Sequence, residues 1–147
     1  MKTLAAALFC ATGLVLAHAA PDADPPASPH DLHAADCVAA LDASTQALAK
    51  EVKAGQEASR APLLDQLIAG TAFVGDTYLH GSSDEKQARA LANAAAQAQK
   101  SLPPAELAAR QVACAAEGRA LYDASNGLGK AVVKRLAKKR MDKLLGG

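Results

Sequence analysis

From residue 34 onward the apolar side chains recur three or four positions apart: Ala34, Cys37, Val38, Leu41, Leu48 and Val52. That spacing lays them along one face of an α-helix; a strand, whose side chains alternate between faces, cannot use it. The alternation of valine, threonine and aromatic residues that marks a half-buried strand occurs nowhere in the chain. The expected fold class is therefore all-α.

Punctuation divides the helical pattern. Ser28 can cap a first helix, Pro29 suits its first position, and Asp31 completes a capping-box-like S-x-x-D. Gly55 is the natural stop. A second helix begins around Pro62 and carries Leu63, Leu64, Leu67, Ile68, Phe73, Val74 and Tyr78, with Gly70 and Gly75 expected to interrupt it. Gly81 ends it, and Ser82 with Glu85 reads as a capping box for a third, alanine-rich helix over about 83–101, whose one large apolar residue is Leu91. Pro103 and Pro104 close that helix and open a fourth, which passes Leu107, Val112, Cys114, Leu121 and Tyr122. "SNGLG" at 125–129 is a break, and a basic helix follows.

Four helices of similar length, joined by short turns, predict an up-down bundle over 29–126 with a basic amphipathic helix over 127–147. The cysteines agree with that order. Cys37 lies about 13 Å from the start of the first helix and Cys114 about 18 Å from the end of the fourth, at the usual helical rise. In an up-down bundle those two ends are neighbours, so the two thiols stand within one turn of the same level. One disulfide, Cys37–Cys114, is the expectation. It compensates for a weak core: aromatic residues are 3% of the chain and tryptophan is absent, so few large side chains are there to bury.

The amino terminus gives the compartment in which such a bond would form. "MKTLAAALFCATGLVLAHAA" has the form of a secretory signal: Lys2, an apolar run from Leu4 to Ala17, and the small-x-small site Ala17-His18-Ala19. The apolar run is shorter than the ~20 residues that span a bilayer. Phe9 directly before Cys10 argues against lipidation of that cysteine. We expect residues 1–19 to be a signal peptide, residues 20–28 an unfolded proline-rich lead-in, and the mature chain to be periplasmic or secreted by a bacterium.

Reactive groups do not converge in the sequence. G-x-S-x-G, H-E-x-x-H, C-x-x-C and phosphate-loop patterns are all missing, and the carboxylates are scattered. We expect no catalytic residue, no cofactor and no dedicated metal site. "HDLHAADC" at 30–37 comes nearest, since His30 and His33 would share a helical face with Asp36 or Cys37. A disulfide would consume Cys37, and the two histidines sit in the first turns. Asp76, beside Gly75, reads as a surface or capping acid.

Charge supplies the remaining signal. Residues 20–127 hold eight cations and fourteen anions, whereas residues 128–147 hold seven cations and one anion. On a helix, Val132, Val133, Leu136, Ala137, Met141, Leu144 and Leu145 make one stripe; Lys130, Lys134, Arg135, Lys138, Lys139 and Lys143 lie mostly opposite, and Arg140 adds a seventh cation. Three uses compete: packing on the acidic body, lying on an anionic membrane surface, and entering a partner protein's groove. Nucleic acid is not expected, because the chain carries an export signal and this segment has no aromatic residue to stack on bases. The leading expectation is an exported, non-enzymatic helical protein that binds another protein, in an immunity, inhibitor, adaptor or chaperone-like role that rests on fold analogy alone, with these cations as the candidate interaction residues. The alternative is an envelope-surface binder acting through the basic helix of residues 128–147.

Overall fold

A computed structural model describes residues 26–81 and 84–146. The expected signal peptide and most of the lead-in lie outside the described residues. Helix α1, Pro29–Lys53, starts on a reciprocal cap: the Ser28 hydroxyl accepts from the Asp31 backbone N–H at 3.1 Å, and Asp31 Oδ2 accepts from the Ser28 N–H at 3.3 Å. Two of the helix's unpaired amino-terminal donors are satisfied this way. The chain leaves α1 through Gly55, whose φ of 93° belongs to the left-handed region where a β-carbon is costly.

Helix α2, Arg60–His80, follows a single 3-10 turn at Glu57–Ser59, two residues earlier than Pro62 suggests. Gly70 and Gly75 do not interrupt it. Each costs about 1 kcal/mol against alanine, and burial of Leu63, Leu67, Ile68 and Phe73 along the same helix offsets that. Helix α3 is shorter than expected, Glu85–Gln99, because Asp84 is its cap and accepts from the Gln87 N–H at 2.7 Å; Ser82 lies outside the described residues. Helix α4, Pro104–Ala124, opens with a proline where no N–H is needed. Helix α5, Gly127–Leu145, begins inside the stretch read as a break. Asn126 caps it by accepting from the Gly129 N–H at 2.8 Å, so the connection shrinks to Ser125 and Asn126. No strand occurs among the described residues.

Helix α1 is central, touching each of the other four helices. Its buried alanines, Ala34, Ala35, Ala39, Ala40 and Ala49, leave room for neighbours on several sides. Helix α2 runs antiparallel to it: His30 meets Asp76, and Leu41 meets Gly70. Helix α3 rests chiefly on α1, where Gln99 donates to the Asp36 carbonyl at 2.8 Å. A square up-down order would instead seat α3 between α2 and α4. With alanine as its main apolar residue, α3 has little to insert between two helices, and α4 packs against α2 directly.

Two clusters make the core. Ala34, Cys37, Leu41, Ala69, Phe73 and Cys114 join α1, α2 and α4. Ala49, Val52, Leu63, Leu67, Ile68, Ala72, Val133, Ala137 and Met141 join α1, α2 and α5. The first cluster contains the Cys37–Cys114 disulfide, with an S–S distance of 2.02 Å and Cα atoms 5.2 Å apart. Closing 77 positions of chain, it stabilises by roughly 4 kcal/mol in the chain-entropy account. No described helix is long and apolar enough to cross a membrane.

Candidate functional site

The outer surface of α5 is built by how that helix is seated. Val133, Ala137 and Met141 face the core, and Leu144 and Leu145 pack partly against it. Seating this row turns the neighbouring row outward: Leu128, Val132 and Leu136, four residues apart, are 77%, 48% and 50% exposed. The stripe of seven apolar residues read from the sequence is therefore split, with only part of it serving the core.

Lys134, Arg135, Lys138, Lys139 and Lys143 are exposed on the same helix, and helical spacing puts Arg135, Lys139 and Lys143 beside that outward row. Arg140 is the cation that reaches an acidic side chain of the body, pairing with Asp42 of α1. Lys130 stands 6.0 Å above the Tyr122 ring of α4. Among the described residues no carboxylate pairs with Lys134, Arg135, Lys138, Lys139 or Lys143. Among the described residues the body thus holds α5 through the Arg140–Asp42 pair, the Lys130–Tyr122 contact and an apolar seam, and most of the helix's charge faces water. That differs from an acidic surface acting as the helix's resting partner.

At the opposite side of α1 the structure regroups the histidines. His30 and His33 do not act together. His30 turns to α2, where its Nε2 lies 2.7 Å from Asp76 Oδ2. His80 Nδ1, one turn beyond Asp76, lies 2.9 Å from its other oxygen. His33 turns to α4, with Nε2 at 2.9 Å from both Glu117 oxygens and its ring edge-on to Phe73. His33, Cys37 and Glu117 are close enough to hold a metal. The disulfide takes the Cys37 sulfur, however, and leaves two ligands there.

Asp76 is thus the acid that two histidines share, a role the surface or capping reading missed. The signal was half present in the sequence, because Asp76 and His80 have the spacing of neighbours on one helix face. The contribution of His30, forty-six positions away, needed the fold. Among the described residues, one surface depression runs along α3 beside Glu85, Lys86, Arg89, Ala90 and Asn93, and another is a narrow cleft beneath Arg140 between α1 and α2. Neither brings a nucleophile against a base.

Comparison with protein families, curated proteins and solved structures found no match to this chain.

Proposed function

We propose that this is an exported, non-enzymatic helical protein that binds another protein through the outer face of α5. The observation that carries this reading is the exposed row Leu128, Val132 and Leu136 on a helix with five exposed cations that pair with no carboxylate of the described residues. Apolar side chains held in water at helical spacing gain by entering a groove, and the cations on the same helix favour a groove with an acidic rim. The signal-like first nineteen residues and the disulfide support export. An immunity, inhibitor, adaptor or chaperone-like role suits such a scaffold by analogy of fold.

The test leaves the core side of α5 intact. Removing α5 would also remove Val133, Ala137 and Met141 from the core, so outward substitutions are the cleaner probe. A Val132→Ser/Leu136→Ser variant and a Lys134→Glu/Lys138→Glu/Lys139→Glu variant are compared with the native chain in pull-downs from envelope extract. Saturable capture of one partner, lost in both variants, supports the reading. Equal capture by all three proteins places the contact elsewhere.

One feature favours a second reading, an anionic membrane surface: α5 carries exposed apolar residues together with cations that pair with no carboxylate of the described residues, and both kinds of side chain contribute to binding at an anionic interface. Sedimentation with anionic and with zwitterionic vesicles separates the two. Binding to anionic vesicles alone, released by added salt, selects the lipid surface.

A further inference from the structure

We propose that His30, Asp76 and His80 form a binding site for a late first-row divalent metal ion, such as Zn2+. Two imidazoles and one carboxylate are a donor set such ions accept, with water in the open position. The three residues come from two helices that the fold fixes against each other. Asp76 and His80 share one face of α2, and His30 reaches the same carboxylate from the first turn of α1.

Without metal, each ring nitrogen lies on a different oxygen of Asp76, at 2.7 and 2.9 Å. To bind, both rings must swing their lone pairs toward a common point beside the carboxylate. The His30 and His80 side chains are 43% and 67% exposed, so each ring has solvent on one side through which to turn. Asp76, at 23%, is the fixed member. For neutral rings the step is a change of tautomer: the proton on His30 Nε2 moves to Nδ1 and that on His80 Nδ1 moves to Nε2, with no net release. A protonated ring instead gives its extra proton to solvent.

A second carboxylate stands near the His30 ring, where metal-bound histidines commonly find an outer partner. His30 Nδ1, protonated in the bound tautomer, lies 3.9 Å from Oδ1 of Asp31, whose side chain is 1% exposed. Gly81 lets Asp31 lie against the end of α2, since a β-carbon there would collide with Asp31 Oδ1 and the Thr77 carbonyl. His33 is the internal control: it is held by Glu117 and lacks a third available ligand.

Titration of the purified protein with ZnCl2 by calorimetry, after chelator treatment, should give one site per chain. His30→Gln, Asp76→Asn and His80→Gln should each weaken it by about tenfold or more, while His33→Gln leaves it unchanged. Imidazole resonances of the native protein give a reading that needs no variant: Zn2+ should shift those of His30 and His80 and leave those of His33 in place. Absence of saturable binding, equal binding by all four variants, or a response centred on His33 would each overturn the proposal.

Discussion

Gly118 of α4 lies so close to Ala69 of α2 that a β-carbon on it would stand 2.6 Å from the Ala69 carbonyl oxygen and 2.9 Å from its Cα. The obstacle is helix backbone, which cannot swing aside as a flexible side chain can. Gly118→Ala must therefore push α4 away from α2, beside the disulfide that ties α4 to α1. Overpacking of this kind costs about 1–3 kcal/mol, against about 1 kcal/mol gained from alanine's better helix propensity. Gly75→Ala is the matched control, because a β-carbon at that position meets nothing within 4 Å. Urea denaturation should place Gly118→Ala below the native midpoint and Gly75→Ala above it. Equal gains for both would mean that the α2–α4 contact is looser than described.

The disulfide should be the strongest single constraint on the first core cluster. Its members are mostly small, with Phe73 the one large aromatic side chain. Reduction, or Cys37→Ala with Cys114→Ala, should lower unfolding free energy by up to ~4 kcal/mol. The measurement is the denaturant midpoint with and without reductant, alongside thiol labelling of the unfolded, unreduced protein. Free thiols in that sample, or an unchanged midpoint after reduction, would defeat the expectation.

Local chemistry made some of this fold legible and left the rest hidden. Ser28, Asp31 and Pro29 mark the start of α1 because a cap is made by residues three apart. The cysteines could be matched because helical rise converts residue number into height. The order of neighbours could not be read. Whether α3 sits on α1 or between α2 and α4 depends on how closely alanine faces approach, and alanine-rich helices look alike from every side. Gly118 shows the same limit, since its close approach to Ala69 has no trace in spacing. The break at 125–129 was drawn too long because Gly127 and Gly129 carry poor helix propensity, while the Asn126 cap and the α5 core contacts outweigh it.

Glu57 and Arg60 give a pH-dependent prediction. The Arg60 guanidinium donates to Glu57 at 2.9 Å, and that hydrogen bond, followed by the arginine's charge, holds the carboxyl below its ordinary range. A depressed folded-state value means that any stabilisation is present above the unfolded carboxyl's titration and is lost as pH falls through the folded one. Both groups face water, so the pair should matter little to stability. In an NMR titration Glu57 should move up in Arg60→Ala, while the melting temperature near neutral pH stays almost constant. A carboxyl that titrates identically in both proteins would show that the pair does not form in solution.

The seating of α5 decides between a packed helix and a detachable tail, and substitutions on its two sides should behave oppositely. Met141 is 7% exposed within a core cluster, so Met141→Ala should cost about 2–5 kcal/mol. Leu136, half exposed, should be replaceable by alanine with little loss, because little apolar surface is removed from contact. Asn126→Ala should cost about 1 kcal/mol by freeing the Gly129 N–H. Salt adds a further discrimination. A helix held by the Arg140–Asp42 pair alone would loosen as salt screens it, whereas an apolar seam is not weakened by screening. Limited proteolysis at Asn126–Gly129 should therefore stay slow as salt is raised and accelerate in Met141→Ala. Rapid cutting of the native protein that quickens with salt would mean that charge, and not the seam of Val133, Ala137 and Met141, keeps α5 in place.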